Sequence, residues 1–364
     1  MSQSLSDQGF ATRVVVDALG GDRVPQEPVA GAVLAARRFP DSLIILAGPE
    51  EALRAELDKA GGCPVNLRIV HAPEAIGMHE SPVQALRVKK NSSITLGLKE
   101  LAEGKADAFV SAGNTGAVVA ASSMQLGLIE GVQRPGIAVP MKAMDHTAVM
   151  IDAGANIYCK PTHLLQYGVM AAVFAKDVLE LEEPRVGLLN VGEEAYKGPD
   201  LLKEAFGLLS RAGLNFVGNV EPHDIYFGGC DIVVCDGFVG NVLLKASEAL
   251  TMKFHDHLKK EMTRNLIRKI GFALCKGAIR SIKDCGDYAE YGGAPLLGVN
   301  GVTIICHGRS DARAIENAVR EARSFIRRKV NQQILERIRS CAVPRNSVPS
   351  KTPIPNPKAV DLKE

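Results

Sequence analysis

The 364-residue chain contains no tryptophan, and aromatic residues make up only 5% of it. It also lacks a surplus of either charge: 43 Lys and Arg stand against 41 Asp and Glu, a net of +2. That balance removes the electrostatic footprint of a nucleic-acid binder, so no nucleic-acid partner is expected. No apolar run approaches the ~18 residues of a membrane span, and the N-terminal MSQSLSDQGFATR has no basic-then-apolar leader. A cytoplasmic protein is the expectation, one that can still lie on a membrane surface. The 8 cysteines form no CxxC pair, which favours reduced thiols, with Cys230 and Cys235 as small buried apolar groups. Also missing are HExxH, any Cys/His cluster, a Gly-x-Ser-x-Gly elbow and a Gly-Lys-Ser/Thr phosphate loop. Metal hydrolysis, serine-triad chemistry and nucleotide cleavage lose their usual supports. Neither a metal nor another cofactor is expected.

What is abundant is Ala, Val, Leu and Gly, in a pattern of strand-like and helical runs that alternate almost throughout. RVVVD, SLIILAG, NLRIVH, DAFVS, GIAVP, TAVMI, RVGLLN, LNFVGNV, DIVVC and VTIIC read as strands. Helical stretches separate most of them, including a long polar helix over 82–103 and a last one over 312–339. Such βαβα alternation predicts a three-layer α/β/α architecture around a mostly parallel sheet. Residues 11–340 read as one domain, with a strand-free helical insert over about 238–283. The Pro-, Ser- and Lys-rich 341–364 reads as a disordered tail.

Ligands of α/β proteins gather at the carboxyl ends of parallel strands. Here DALGGD, SAGNTG, DAGAN, NVGEEAYKG, DGFVGN and YGGAP crowd that position with small and polar residues, and they are expected to converge on one edge. SAGNTGA combines Gly113 and Gly116, which let backbone N–H groups approach a ligand, with Ser111, Asn114 and Thr115 at a helix start. It is either an anion seat or a plain N-cap. Lys197, in a Gly-bounded turn, can hold a phosphate as a point charge or be a solvated loop lysine. Glu193 and Glu194 could orient its ammonium. Asn241 can polarise a carbonyl, and Asp236 can position a cation or cap a helix. His307 lies at a strand end, facing a site or packed.

The ordered set DALGGD, RVKKNSS, SAGNTGA, DAGANIYCKPTHLLQYGVMAA, NVGEEAYKG, FVGNVE, CDGFVGNVLLK and YGGAPLLGVNG resembles the bacterial phosphate acyltransferases. The resemblance runs from Arg13 to Arg328. Leu19, Glu80 and Ala249 depart from the family's usual Met, Asp and Gly. It implies a fold akin to phosphotransacetylases and isocitrate dehydrogenases, and a homodimer. It also implies reversible transfer of a long-chain acyl group from acyl carrier protein to inorganic phosphate. The acyl phosphate would feed glycerol-3-phosphate acylation in phospholipid synthesis. A downstream membrane glycerol-3-phosphate acyltransferase becomes a candidate partner.

That reaction suits these residues. A thiol leaving group with a pKa near 8.5 needs little acid assistance, and phosphate is already an anion at neutral pH. The enzyme must capture phosphate, align it and stabilise an oxyanion. Lys197, Asn241 and Asn114 are the candidate catalytic residues. Ser111, Gly113, Thr115, Gly116, Asp17, Gly20 and Gly21 are the candidate phosphate-binding set, with Asp236, His307 and Asn156 as further candidates. In the insert, Arg264, Ile267, Arg268, Ile270 and Leu274 mix cations with apolar residues. That mixture fits a dimer interface or a tip that touches lipid or carrier protein. Arg87, Lys89 and Lys90 are a second basic cluster, solvated or a docking site. Rival readings are a coenzyme A-dependent short-chain phosphotransacetylase, a decarboxylating dehydrogenase and a non-catalytic lipid-surface scaffold.

Overall fold

The computed structural model describes residues 9–142, 146–275, 277 and 292–341. The chain opens with β1 (Thr12–Asp17), α1 (Gln26–Arg38), β2 (Ser42–Gly48), α2 (Glu50–Lys59) and β3 (Leu67–His71). Next come α3 (Pro82–Val88), α4 (Ser93–Ala102), β4 (Ala108–Ser111), α5 (Thr115–Gln125), β5 (Gly136–Lys142), β6 (Thr147–Ile151) and α6 (Pro161–Asp177). The middle continues with β7 (Val186–Leu189), α7 (Asp200–Leu209), β8 (Phe216–Val220), α8 (Asp224–Phe227), β9 (Ile232–Val234), α9 (Gly237–Met262) and α10 (Leu266–Leu274). Last are β10 (Ala294–Leu297), β11 (Val302–Ile305), α11 (Ala312–Arg327) and α12 (Val330–Ser340).

The strands form one sheet in the order β3-β2-β1-β4-β11-β10-β5-β6-β9-β7-β8. Alternate residues of β1 serve opposite faces: Val14 and Val16 join the core under α1, α6 and α11, whereas Val15 joins that under α4 and α5. Period-2 side chains buried on both faces make three layers, as the apolar runs predict.

The sheet is two parallel blocks of opposite direction. β3, β2, β1, β4 and β11 run together, as do β6, β9, β7 and β8. Between them β10 pairs antiparallel with β11 and β5, and β5 antiparallel with β6. This corrects the expectation that six Gly-rich loops share one strand edge. DALGGD and SAGNTG end strands of the first block; DAGAN, NVGEEAYKG and DGFVGN end strands of the second. Gly292 and Gly293 of YGGAP enter β10 instead of leaving a strand.

Each block is pinned at the start of its strands by a matched clamp. The Arg13 N–H and side chain donate to Asp107, with contacts of 2.6–3.1 Å, tying β1 to β4. Arg185 does the same to Asp231 at 2.8–3.0 Å, tying β7 to β9. Burial alone would raise the Asp231 carboxyl, but Arg185 outweighs it and holds the group below its ordinary range.

Two long helices are broken. The run over 82–103 stops at Val88 because the Asn91 N–H donates to Glu74 and Ser92 starts α4 as its N-cap, accepting from Thr95 N–H at 3.2 Å. The last helix divides at Lys329, whose φ is +52°. As far as Leu274 the insert expected over about 238–283 forms α9 and α10; its residues 276 and 278–283, like the tail over 342–364, lie outside the described ones.

Candidate active site

The first loop set is organised by Asp17, buried where β1 ends. Its carboxylate accepts from the Ser111 hydroxyl at 2.7 Å and from Leu19 N–H at 3.0 Å. Ser111 Oγ in turn accepts from Gly113 N–H at 3.0 Å. Burial pushes the Asp17 carboxyl upward, and hydrogen bonds from Ser93, Ser111, Leu19 and Gly20 pull against it. Gly20 is required by proximity: a Cβ there would sit 2.6 Å from both Asp17 Oδ2 and Gly113 N. Asp22 N–H donates to Gly308 O at 2.7 Å and joins the loop after β11.

Asn114 caps α5, its Oδ1 accepting from Ala117 N–H at 3.1 Å. Its amide donates to the carbonyls of Gly77, Met78 and Glu80 at 3.1–3.2 Å. Two amide hydrogens facing three carbonyls leave none for a substrate. The structure therefore reassigns Asn114, expected as a carbonyl polariser, to holding the 77–80 loop against α5. Ser111, Gly113 and Asp17, expected as phosphate ligands, are likewise spent on one another. The N–H groups of Thr115 and Gly116 and the Thr115 hydroxyl carry no hydrogen bond among the described residues, so they remain open to an anion at the helix N-terminus.

The second loop set has its own buried aspartate, Asp152 at the end of β6. Its carboxylate accepts from the N–H groups of Ile137, Gly154, Ala155 and Asn156 at 2.7–3.1 Å. Burial raises this carboxyl too, against those four donors. Asp236 is the N-cap of α9, accepting from Phe238 and Val239 N–H at 2.9 and 3.0 Å. Asn156 spends its amide on Pro135 O at 2.6 Å and the buried Tyr167 hydroxyl at 2.9 Å. Both further candidates are thus framework groups. Gly240 is forced by contact: a Cβ would lie 2.0 Å from Asp152 O.

Asn241 is different. It sits one residue beyond that contact, its Cβ 3.5 Å from where a Gly154 Cβ would be, and its amide has no hydrogen bond among the described residues. Lys197 ends the loop after β7, and β7 lies directly beside β9, whose end starts α9. The Asn190 side chain donates to Lys197 O at 3.1 Å, and that of Asn219 to Glu194 O at 2.9 Å, so the loop is held from below. Lys197 Nζ is 3.8 Å from Glu194 Oε1, with the side chain 41% exposed.

Lys197 and Asn241 therefore share one strand edge, while SAGNTG and His307 belong to the other block. Helix α9 borders both sets. Glu248 stands seven residues past Asn241, a rise of about 10 Å, and its Oε2 lies 4.0 Å from His307 Nε2. His307 Nδ1 accepts from Arg309 N–H at 3.1 Å, and the Arg309 guanidinium meets Met252 Sδ at 3.7 Å. Sequence reasoning missed Asp152 and Tyr167 as organisers, and Glu248 altogether; only the DAGAN motif hinted at the first. At the far end of the insert Ile267, Ile270 and Leu274 are exposed, and Arg268 and Arg264 pair with Glu261 at 2.6 and 3.7 Å. Lys89 is tied to Glu80 at 2.6 Å, while Arg87 and Lys90 are exposed.

Two parallel blocks joined by antiparallel strands, with polar loops at the strand ends, define the α/β/α architecture of the chain. The chain matches a phosphotransacetylase from Streptococcus pyogenes with a TM-score of 0.57 at 18% identity, covering 90% of this chain and 100% of that one. A branched-chain phosphotransacylase from Enterococcus faecalis V583 matches with a TM-score of 0.51 at 13% identity, covering 86% and 99%. The family model described as "Fatty acid synthesis protein" matches residues 12–333. A phosphate acyltransferase from Pelotomaculum thermopropionicum is 48% identical over 333 residues, 91% of this chain and 96% of its own length. One from Trichlorobacter lovleyi is 45% identical over 326 residues, 90% and 94%. The chain belongs to the phosphate acyltransferase family, and it is an acyltransferase.

Proposed function

We propose that this chain transfers a long-chain acyl group from the thioester of acyl carrier protein to inorganic phosphate, releasing acyl phosphate and the carrier thiol. Acyl transfer to phosphate in fatty acid and phospholipid synthesis is the family's coarser activity; donor and chain length are our reading. The observation that carries it is the amide of Asn241, which has no hydrogen bond among the described residues and follows the strand next to the one that leads into the Lys197 loop.

In this mechanism Lys197, on the same strand edge as Asn241, holds phosphate. Asn241 donates to the thioester carbonyl as its oxygen gains charge. The phosphate oxygen attacks the carbonyl carbon, the tetrahedral intermediate collapses, and the C–S bond breaks with the electron pair leaving on sulfur. The thiolate needs little protonation to leave, so neither a strong base nor a covalent enzyme intermediate is needed. An acyl thioester on a carrier arm is long, and α9 offers it a track between the two loop sets.

Lys197→Ala is expected to lose most acyl-phosphate formation, and Asn241→Ala to lose about 10²–10³ in kcat. Both should keep the circular dichroism spectrum of the wild type. The assay follows release of carrier thiol from acyl carrier protein in the presence of phosphate. Wild-type turnover by a folded Lys197→Ala protein would remove Lys197 from the mechanism.

The same reading makes the protein a homodimer that touches membranes peripherally through the α9–α10 tip, handing its product to a membrane glycerol-3-phosphate acyltransferase. Exposed Ile267, Ile270 and Leu274 beside Arg264 and Arg268 support it.

A further inference from the structure

Apolar side chains stand on the same loops and helix start as Asn241 and Lys197. Tyr158 follows the Asp152 loop, Phe238 and Val242 lie on the first turns of α9, and Val191 and Tyr196 precede Lys197 in its loop. All five are exposed, from 54% at Val242 to 87% at Tyr158. Their strands are consecutive in the sheet, β6 then β9 then β7. The three loops therefore stand in a row at a strand spacing of about 4.8 Å. A lone exposed apolar residue needs no explanation, but five on adjoining loops mark a binding surface.

From this arrangement we infer that the crescent receives the alkyl chain of the substrate and sets the enzyme's preference for long chains. The inference rests on the proposed reaction for the identity of the ligand. It is favoured over a second copy of the chain by the groups inside the crescent. A protein surface seated here would bury the Asn241 amide without a partner and the Lys197 ammonium with only Glu194, 3.8 Å away, to offset its charge. An acyl thioester or acyl phosphate brings a carbonyl and an oxyanion to those two groups and lays its methylenes on the apolar residues. Phe238 and Val242 are one turn apart on α9 and share a face, so they form one wall. Tyr158 across the Asp152 loop forms the other.

The test measures binding, which does not depend on turnover. Decylphosphonate and butylphosphonate, each a phosphate-like head on an alkyl tail, are titrated calorimetrically into the full-length wild type and into Tyr158→Ser/Phe238→Ser/Val242→Ser. Wild type is expected to bind the longer compound at least tenfold more tightly, each buried methylene contributing about fourfold at best. The triple variant should lose most of that ratio, and its butylphosphonate affinity should stay within about twofold. Phe238→Leu, which keeps an apolar wall, should retain the preference. An unchanged ratio in the triple variant overturns the inference. So does an unchanged ratio accompanied by a smaller mass in light scattering, which would assign the crescent to a second copy. If the chain-length ratio behaves as expected but no acyl phosphate forms from acyl carrier protein, the proposed reaction fails and the alkyl site stands.

Discussion

Asn114 shows how a single residue can be right in place and different in duty. Its motif marks a ligand turn, and the turn is there, but its amide and carbonyl are consumed by the 77–80 loop and Ala117. Asn114→Ala should therefore act first on stability. Losing the cap costs about 1–2 kcal/mol, and the fall should appear as a lowered urea midpoint with phosphate present or absent. A variant with unchanged midpoint and lost activity would return Asn114 to the chemistry. The sequence shows that Asn sits at a helix start; it does not show what approaches from 36 residues upstream. Asn241 and Lys197 were nominated from the sequence because a polar group set among glycines past a strand end has few structural duties. Asp152 was not, since a buried carboxylate under four N–H groups looks in sequence like any loop aspartate.

Single elements were read with similar unevenness. Buried strands announced themselves as apolar runs, and ten of the expected strands formed. β10 did not, because APLL is short, follows a Gly pair and begins with a helix former and a proline. The direction of each strand block was beyond reach: it follows from three antiparallel pairings, β11 with β10, β10 with β5 and β5 with β6, and composition carries no mark of direction. The starts of the strands also carry the Arg13–Asp107 and Arg185–Asp231 clamps. Asp231 is depressed in the folded chain, so its contribution is present above the unfolded carboxylate value of about 3.9 and is lost as pH falls through the lower folded value. Asp231→Asn should lower Tm at pH 7, and the deficit should close as both proteins are taken below pH ~3.9. A deficit that persists unchanged in acid would show that the substitution acts through packing instead.

At the scale of the molecule, the exposed apolar face of α10 carries a prediction about membranes. Ile267, Ile270 and Leu274 replaced by Ser should abolish co-sedimentation with vesicles containing anionic lipid and leave acyl-phosphate formation in solution unchanged. Equal sedimentation of both proteins would sink the role of this tip. The tip sits on α9, which is anchored at its start by the buried Gly237 and Gly240 and stays in contact with the body through Ser247 to Tyr226, Glu248 to His307 and Met252 to Arg309. From Met252 to Met262 the helix rises about 15 Å. A rod gripped along its first half is a lever beyond the grip, and a tilt of about 10° there carries the far end about 3 Å over that length. Asn241 stands deep in the gripped half, where travel at the tip becomes small, forceful displacement. Whatever holds the tip still thus also steadies the amide at the other end of the beam.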